Sequence, residues 1–178
     1  NQEIVHGIPS KKRVLREGNI VSVDVGVHFD GLHADSATTI GVGEISPDTQ
    51  RLLDVTQASL AAGIAAARVG NHVGDIGHAV QTVAEGAGFG VVRELVGHGI
   101  GARFHEEPQV PNYGVPKRGP RLLEGMTIAI EPMITMGDPA IRTLPDKWTV
   151  VTADGSLSAH FEHTVAITKG GPRRSEEH

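Results

Sequence analysis

Residues 19–40, NIVSVDVGVHFDGLHADSATTI, limit what this chain can fold into more than any other stretch. Val21, Val23, Val25, Val27 and Phe29 alternate with Ser22, Asp24, Gly26, His28 and Asp30, the period-two pattern of a strand with one apolar face. Asp30-Gly31 then reads as a two-residue type I′ turn, because both central residues of that turn must accept positive φ. With the turn fixing the register, Asp24 falls opposite Ala37 and Gly26 opposite Asp35. Asp24 and Asp35 become diagonal neighbours on one face, their backbones about 7–8 Å apart and their side chains in reach of a common point. Two anions that close repel unless one is protonated or a cation lies between them. A solvated polar face is the plain alternative, and the rest of the chain decides between the two.

The 178 residues suit a single domain over 1–178, long enough to bury about 70% of its extended surface. Sixteen basic against 21 acidic residues give a net charge of −5, which argues against a nucleic-acid or anionic-membrane surface. There is no cysteine, so disulfides and thiolate metal sites are excluded and a cytoplasmic setting is favoured. No apolar run approaches the roughly 18 residues of a membrane span. The unusual count is ten histidines beside three methionines, one tryptophan and one tyrosine.

Ser46 and Pro47 make an N-cap and first-turn pair for a helix from 47 to about 68, with Leu52, Leu53, Val55, Leu60, Ile64 and Val69 as its apolar stripe. A second helix is expected over 73–86, ended by Gly86, Gly88 and Gly90. Residues 91–96, 127–130, 148–152 and 161–168 read as strands, the last two separated by the Asp154-Gly155 turn. Residues 108–120 hold four prolines and two glycines and read as loop. Ile4, Val5 and Ile8 have no visible partner element, and the charged tail 170–178 is expected to be disordered. The class is α+β, with mostly antiparallel strands and both helices on one face.

Two more acids stand in apolar surroundings. Glu131 follows Ile128-Ala129-Ile130 and precedes Pro132, and Glu162 lies between Phe161 and the run 164–167. A charged carboxylate there costs several kcal/mol unless it is paired or binds a metal. Each alone could be an ordinary salt bridge to a lysine or arginine. Four such acids together with His98, whose flanking glycines permit close approach, favour a shared cation. His105 lies seven residues after His98, too far for a helical metal-binding pair. His28, His33, His72, His78 and His178 read as solvated, and His160 and His163, on either side of Glu162, stay open. Asp24, Asp35, His98, Glu131 and Glu162 form an oxygen-rich set with one imidazole, which suits two divalent ions such as Mn, Fe, Co or Zn. Such a pair lowers the pKa of a shared water from 15.7 toward about 7, roughly 12 kcal/mol at 1.36 kcal/mol per unit.

HGIP at 6–9, VDVGVHFDGLHAD at 23–35, GHGIGARFHEEPQVPNY at 97–113, EPM at 131–133 and FEHT at 161–164 closely resemble the type I methionine aminopeptidases. The ordered motifs cover nearly the whole chain. The resemblance implies the pita-bread (creatinase/aminopeptidase-like) fold, an antiparallel sheet with helices on one face. It also implies a dinuclear centre with Asp24, Asp35, His98, Glu131 and Glu162 as ligands, Asp35 and Glu162 bridging. His6 and His105 would contact substrate, Glu131 would act as base, and Phe104 and Trp148 would line the methionine pocket. The implied reaction is removal of the initiator methionine from peptides and nascent chains whose next residue is small, by a cytoplasmic monomer that meets its substrates at the ribosome. The interval from His105 to Glu131 leaves no room for the inserted subdomain of type II enzymes. Leu95 stands where the family pattern usually has an aromatic or Met, and His160 where it has Gln. The pattern also has a helical segment and strands before HGIP, so this chain is expected to begin inside the domain. Two alternatives remain: an X-Pro aminopeptidase or prolidase, which shares the five ligands, and an inactive binding module on the same fold.

Overall fold

A computed structural model describes residues 1–175; residues 176–178, with His178, lie outside them. The elements are β1 (Glu3–Val5), β2 (Ile20–Phe29), β3 (Leu32–Gly41), α1 (Pro47–Ala66), α2 (Val73–Gly86), β4 (Gly90–Val91), β5 (Gly97–Gly99) and β6 (Glu106–Val110). There follow β7 (Thr127–Ile130), β8 (Met133–Thr135), β9 (Ile141–Thr143), β10 (Val150–Thr152), β11 (Ser158–His160), β12 (Glu162–Thr168) and β13 (Gly171–Arg174).

The hairpin forms in the expected register. Asp30 and Gly31 take φ of 49° and 79°, as a type I′ turn requires, and pairing runs unbroken from Phe29↔Leu32 to Ile20↔Gly41. α1 starts where the cap predicts, with Ser46 Oγ accepting from the Thr49 N–H at 3.1 Å. It stops at Ala66, whose carbonyl accepts from Asn71 Nδ2 at 2.8 Å. α2 begins after His72, whose N–H donates to Asp75 Oδ2 at 2.7 Å, so His72 marks a helix start and is not merely a solvated ring.

The main antiparallel sheet has the order β2-β3-β12-β7-β5-β6, with β13 also on β12. Alternation gives it two unlike faces. Val165 and Ile167 of β12 and Ile128 and Ile130 of β7 pack with Leu52, Leu60 and Ile76 of the helices in one buried cluster. Glu162, Thr164 and Ala129, of opposite parity, turn to the other face. Both helices therefore cover one face, and the acids occupy the other.

Several expectations are corrected. Ile4 is not orphaned: β1 pairs with β10, and Ile4 packs with Val92, Met133 and Val150 in a second buried cluster. Its partners lie far along the chain, where no local pattern points. Residues 171–174 of the expected disordered tail form β13, pairing Thr168↔Gly171 through Val165↔Arg174. β3 pairs with β12 only at Glu162 and His163, so the remaining edge groups of β12 need another partner. Residues 108–110 belong to β6 and not to a loop; Pro108 is tolerated because β6 is an edge strand beside a register shift. The strand expected over 91–96 is reduced to β4, and that over 148–152 begins at Val150. The apolar face of the hairpin is uncovered: Val25 is 51% and Phe29 80% exposed, because among the described residues no helix lies behind this end of the sheet. No helix among the described residues is long and apolar enough to cross a membrane.

Candidate metal centre

Residues directly opposite one another in antiparallel strands share a face and form rungs across the sheet. One rung reads Asp24–Ala37–Glu162 across β2, β3 and β12, and continuing the β12–β7 register by one residue brings Glu131 opposite Glu162. The adjacent rung reads Gly26–Asp35 on the hairpin and Thr164–Ala129–His98 on β12, β7 and β5. The acids and the imidazole thus occupy two neighbouring rungs, and Ala37, Ala129 and Gly26 between them leave space in front of the sheet.

Two threonines staple β3 to its neighbours at the centre of this array, Thr164 to β12 and Thr39 to the end of β11. Thr164 Oγ1 accepts from the Asp35 N–H and donates to the Asp35 carbonyl, both at 2.8 Å. Thr39 Oγ1 does the same for His160, accepting from its N–H and donating to its carbonyl at 2.8 Å. On the far side, Asn112 Nδ2 donates to the Glu131 carbonyl at 3.0 Å.

His98 is 8% exposed, and its Nδ1 lies 2.8 Å from the Gly99 carbonyl. A carbonyl only accepts, so Nδ1 carries the proton and Nε2 presents a lone pair. That lone pair faces Asp35 Oδ2 at 4.0 Å and Glu131 Oε1 at 3.6 Å. Burial, then the Asp24 charge and a hydrogen bond from Asp24, push the Asp35 carboxyl up to about 7. Burial, then the charges of Asp35 and Asp24, hold Glu131 well above the usual carboxylate range. Burial lowers His98 as well, and takes His160 down to about 4. Both rings are therefore neutral at pH 7. Among the described residues no lysine or arginine is ion-paired with Asp24, Asp35 or Glu131, so the ordinary salt-bridge alternative fails for them. Oxygen donors resisting ionisation beside an aimed imidazole lone pair match the needs of a divalent cation. Donor atoms of Asp35, His98 and Glu162, and likewise of Glu131, His160 and Glu162, lie within 4.8 Å of one another.

All nine predicted site residues line one cleft of about 820 Å³: His6, Asp24, Asp35, His98, Phe104, His105, Glu131, Trp148 and Glu162. His6 stacks on Trp148 at 4.5 Å, and Trp148, 57% exposed, stands at the rim. The His105 ring meets His98 edge-on at 4.3 Å. Phe104 lies over Gly26, where an added Cβ would come within 2.5 Å of its ring, so glycine is required there by close approach.

Sequence reasoning missed two contributors. His33, read as solvated, receives the loop that carries Phe104 and His105: its backbone N–H donates to the Gly101 carbonyl at 2.8 Å, and its ring meets Phe104 edge-on at 5.8 Å. His160, left open, is 2% exposed and faces Glu131 and Glu162. Its position two residues before Glu162, with only Phe161 between them, was the available signal.

The sequence matches the model of metallopeptidase family M24 over residues 1–169. The chain is 52% identical over 172 residues to a methionine aminopeptidase of Clostridium acetobutylicum, covering 97% of this chain and 69% of that protein. It superposes on the crystal structure of methionine aminopeptidase from Thermotoga maritima with a TM-score of 0.96 and 48% identity, covering 98% of this chain and 70% of the other. Against the prolidase of Pyrococcus furiosus the TM-score is 0.71 at 25% identity, covering 97% of this chain and 45% of that one.

Proposed function

The chain belongs to metallopeptidase family M24 and to its methionine aminopeptidases, and from that premise we propose how this cleft removes an N-terminal methionine. Asp24, Asp35, His98, Glu131 and Glu162 would hold two divalent ions, drawn from Co, Mn, Fe or Zn. The observation that carries the reading is the His98 lone pair facing oxygens of both Asp35 and Glu131, since acceptors aimed at one another need a proton or a cation between them and a divalent ion serves all of them at once. Divalent ions held there supply Lewis acidity and make water ionisable near neutral pH.

The chain's own groups do the rest. Glu131, its backbone carbonyl fixed by Asn112 and its carboxyl made more basic by burial, accepts the proton of the attacking water. His105, packed against His98, donates to the substrate carbonyl oxygen as negative charge develops on it. His6, held flat on Trp148, orients the scissile amide and protonates the leaving nitrogen. Phe104 and Trp148 wall the pocket for the methionine side chain, whose thioether favours aromatic contact. The substrate residue that follows the methionine is a small one. We read the enzyme as a cytoplasmic monomer that meets nascent chains at the ribosome.

Reconstituted protein should hydrolyse Met-Ala-type peptides and leave X-Pro peptides intact, and Asp35→Ala should abolish turnover and lower bound metal. Preference for X-Pro peptides would sink the assignment in favour of a prolidase. Failure to bind any metal after reconstitution would favour a binding module.

A further inference from the structure

One buried imidazole outside the proposed ligand set faces the centre without a partner. His160 closes β11, is 2% exposed, and makes no hydrogen bond through Nε2 among the described residues. That nitrogen lies 3.8 Å from Glu131 Oε2 and 4.0 Å from Glu162 Oε2. Both separations exceed hydrogen-bond length, yet a small shift of either carboxylate closes them, and leaving a buried polar nitrogen unmet is costly. Thr39 clamps its backbone on both sides, and the ring itself is enclosed, so it has no route to solvent.

The two oxygens of Glu131 face different imidazoles. Oε1 faces His98 at 3.6 Å, and Oε2 faces His160 at 3.8 Å. His98 lines the substrate cleft, whereas His160 does not; it borders an adjoining cavity beside β1 and β2 that shares Val5, His6 and Asp24 with the cleft. An imidazole on the cleft side can share an ion with the carboxylate. One that lies outside that lining and reaches the other oxygen is placed to hold the carboxylate itself, as outer hydrogen-bond partners of metal ligands do.

We propose that His160 is a positioning residue of this centre, its Nε2–H donating to Glu131 Oε2, with Glu162 Oε2 as the second acceptor, so that Oε1 of Glu131 stays aimed at the His98 side. The inference rests on the metal centre proposed above and adds a residue to it.

The test titrates metal-free wild type, His160→Gln and His160→Met with Co²⁺ by calorimetry, recording the unfolding midpoint of each metal-free protein beside it. The Met variant, which has no donor, should bind Co²⁺ 10–100-fold more weakly, while Gln, which keeps an N–H of similar reach, should stay within about threefold of wild type. Equal affinity in all three proteins overturns the proposal, since the ring would then only fill space. Equal losses in Gln and Met overturn it too, because the donor would not be what matters. The proton NMR spectrum of Co²⁺-loaded wild type should show one strongly shifted exchangeable imidazole N–H, that of His98. A second such resonance would make His160 a ligand and overturn the positioning role, and this measurement needs no variant to fold. Absence of Co²⁺ binding by wild type would instead sink the centre itself.

Discussion

β2 and β12 both carry an acid on the same rung, Asp24 and Glu162 on either side of Ala37, and in both successive side chains alternate between the two faces of the sheet. Their surroundings differ. β12 has strands on both edges and two helices behind it, so Glu162 is 1% exposed and Val165 and Ile167 are fully buried. β2 is an edge strand with no helix behind, and Val23, Val25 and Val27 are 45–51% exposed. Alternation gives a strand two unlike faces, but only what packs against each face decides which is inside. The same contrast runs through the electrostatics: acids on the inner strands are pushed toward their protonated forms by burial, and the edge strand supplies the charge that pushes them further.

If that contrast is real, removing the acid from the inner strand should hurt more than removing it from the edge. After Co²⁺ reconstitution, Glu162→Gln should lower kcat/KM on a Met-Ala peptide by at least about 1000-fold, the several kcal/mol a bound metal supplies. Asp24→Asn should cost about 10–100-fold, or roughly 1.4–2.7 kcal/mol. Equal losses, with metal content measured by atomic absorption, would break the comparison.

The packing half of the contrast is tested without metal. Ile167→Ala should destabilise the protein by about 2–5 kcal/mol in chemical denaturation, because a fully buried side chain leaves a cavity.

A third test concerns Asp35, which links the two walls. Its folded pKa of about 7 stands above the ordinary 3.8, so between these values the folded state holds a proton that the unfolded state lacks. The stability it contributes is therefore present at low pH and lost as pH rises through that window. Metal-free Asp35→Asn, which has no such charge, should be more stable than wild type at pH 8. The gap should close by up to about 1.4 kcal/mol per pH unit below pH 7. A gap independent of pH in paired thermal melts would show that Asp35 stays ionised.

The smallest effect belongs to the open face. Val25→Ala should change stability by less than about 0.5 kcal/mol and leave turnover intact; a loss comparable to that of Ile167→Ala would mean that β2 is covered in solution.

Much of the site was legible from residues alone. The Asp30-Gly31 turn set the hairpin register, and that register put Asp24 and Asp35 on one face, because turn chemistry and the two-residue period act over a few neighbouring positions. Ser46-Pro47 fixed the start of α1 in the same way. Strand-end acids in apolar runs pointed to Glu131 and Glu162, since unpaired charge in such places is too costly to be incidental. The short strands were not legible. β1 finds β10 across most of the chain and β13 forms against a bare stretch of β12 edge, and neither has enough residues to show a period of its own.

By itself, the sequence determined on which face of the hairpin the candidate acids stand, because that is set by local period and turn geometry. Only the tertiary structure decided how deeply each is buried and what stands behind it. The exposed valines of β2, the contacts of His33 with the loop and the approach of His160 to the second oxygen of Glu131 all depend on elements distant in sequence. Their meeting is governed by sheet closure and helix packing, to which no local pattern is bound.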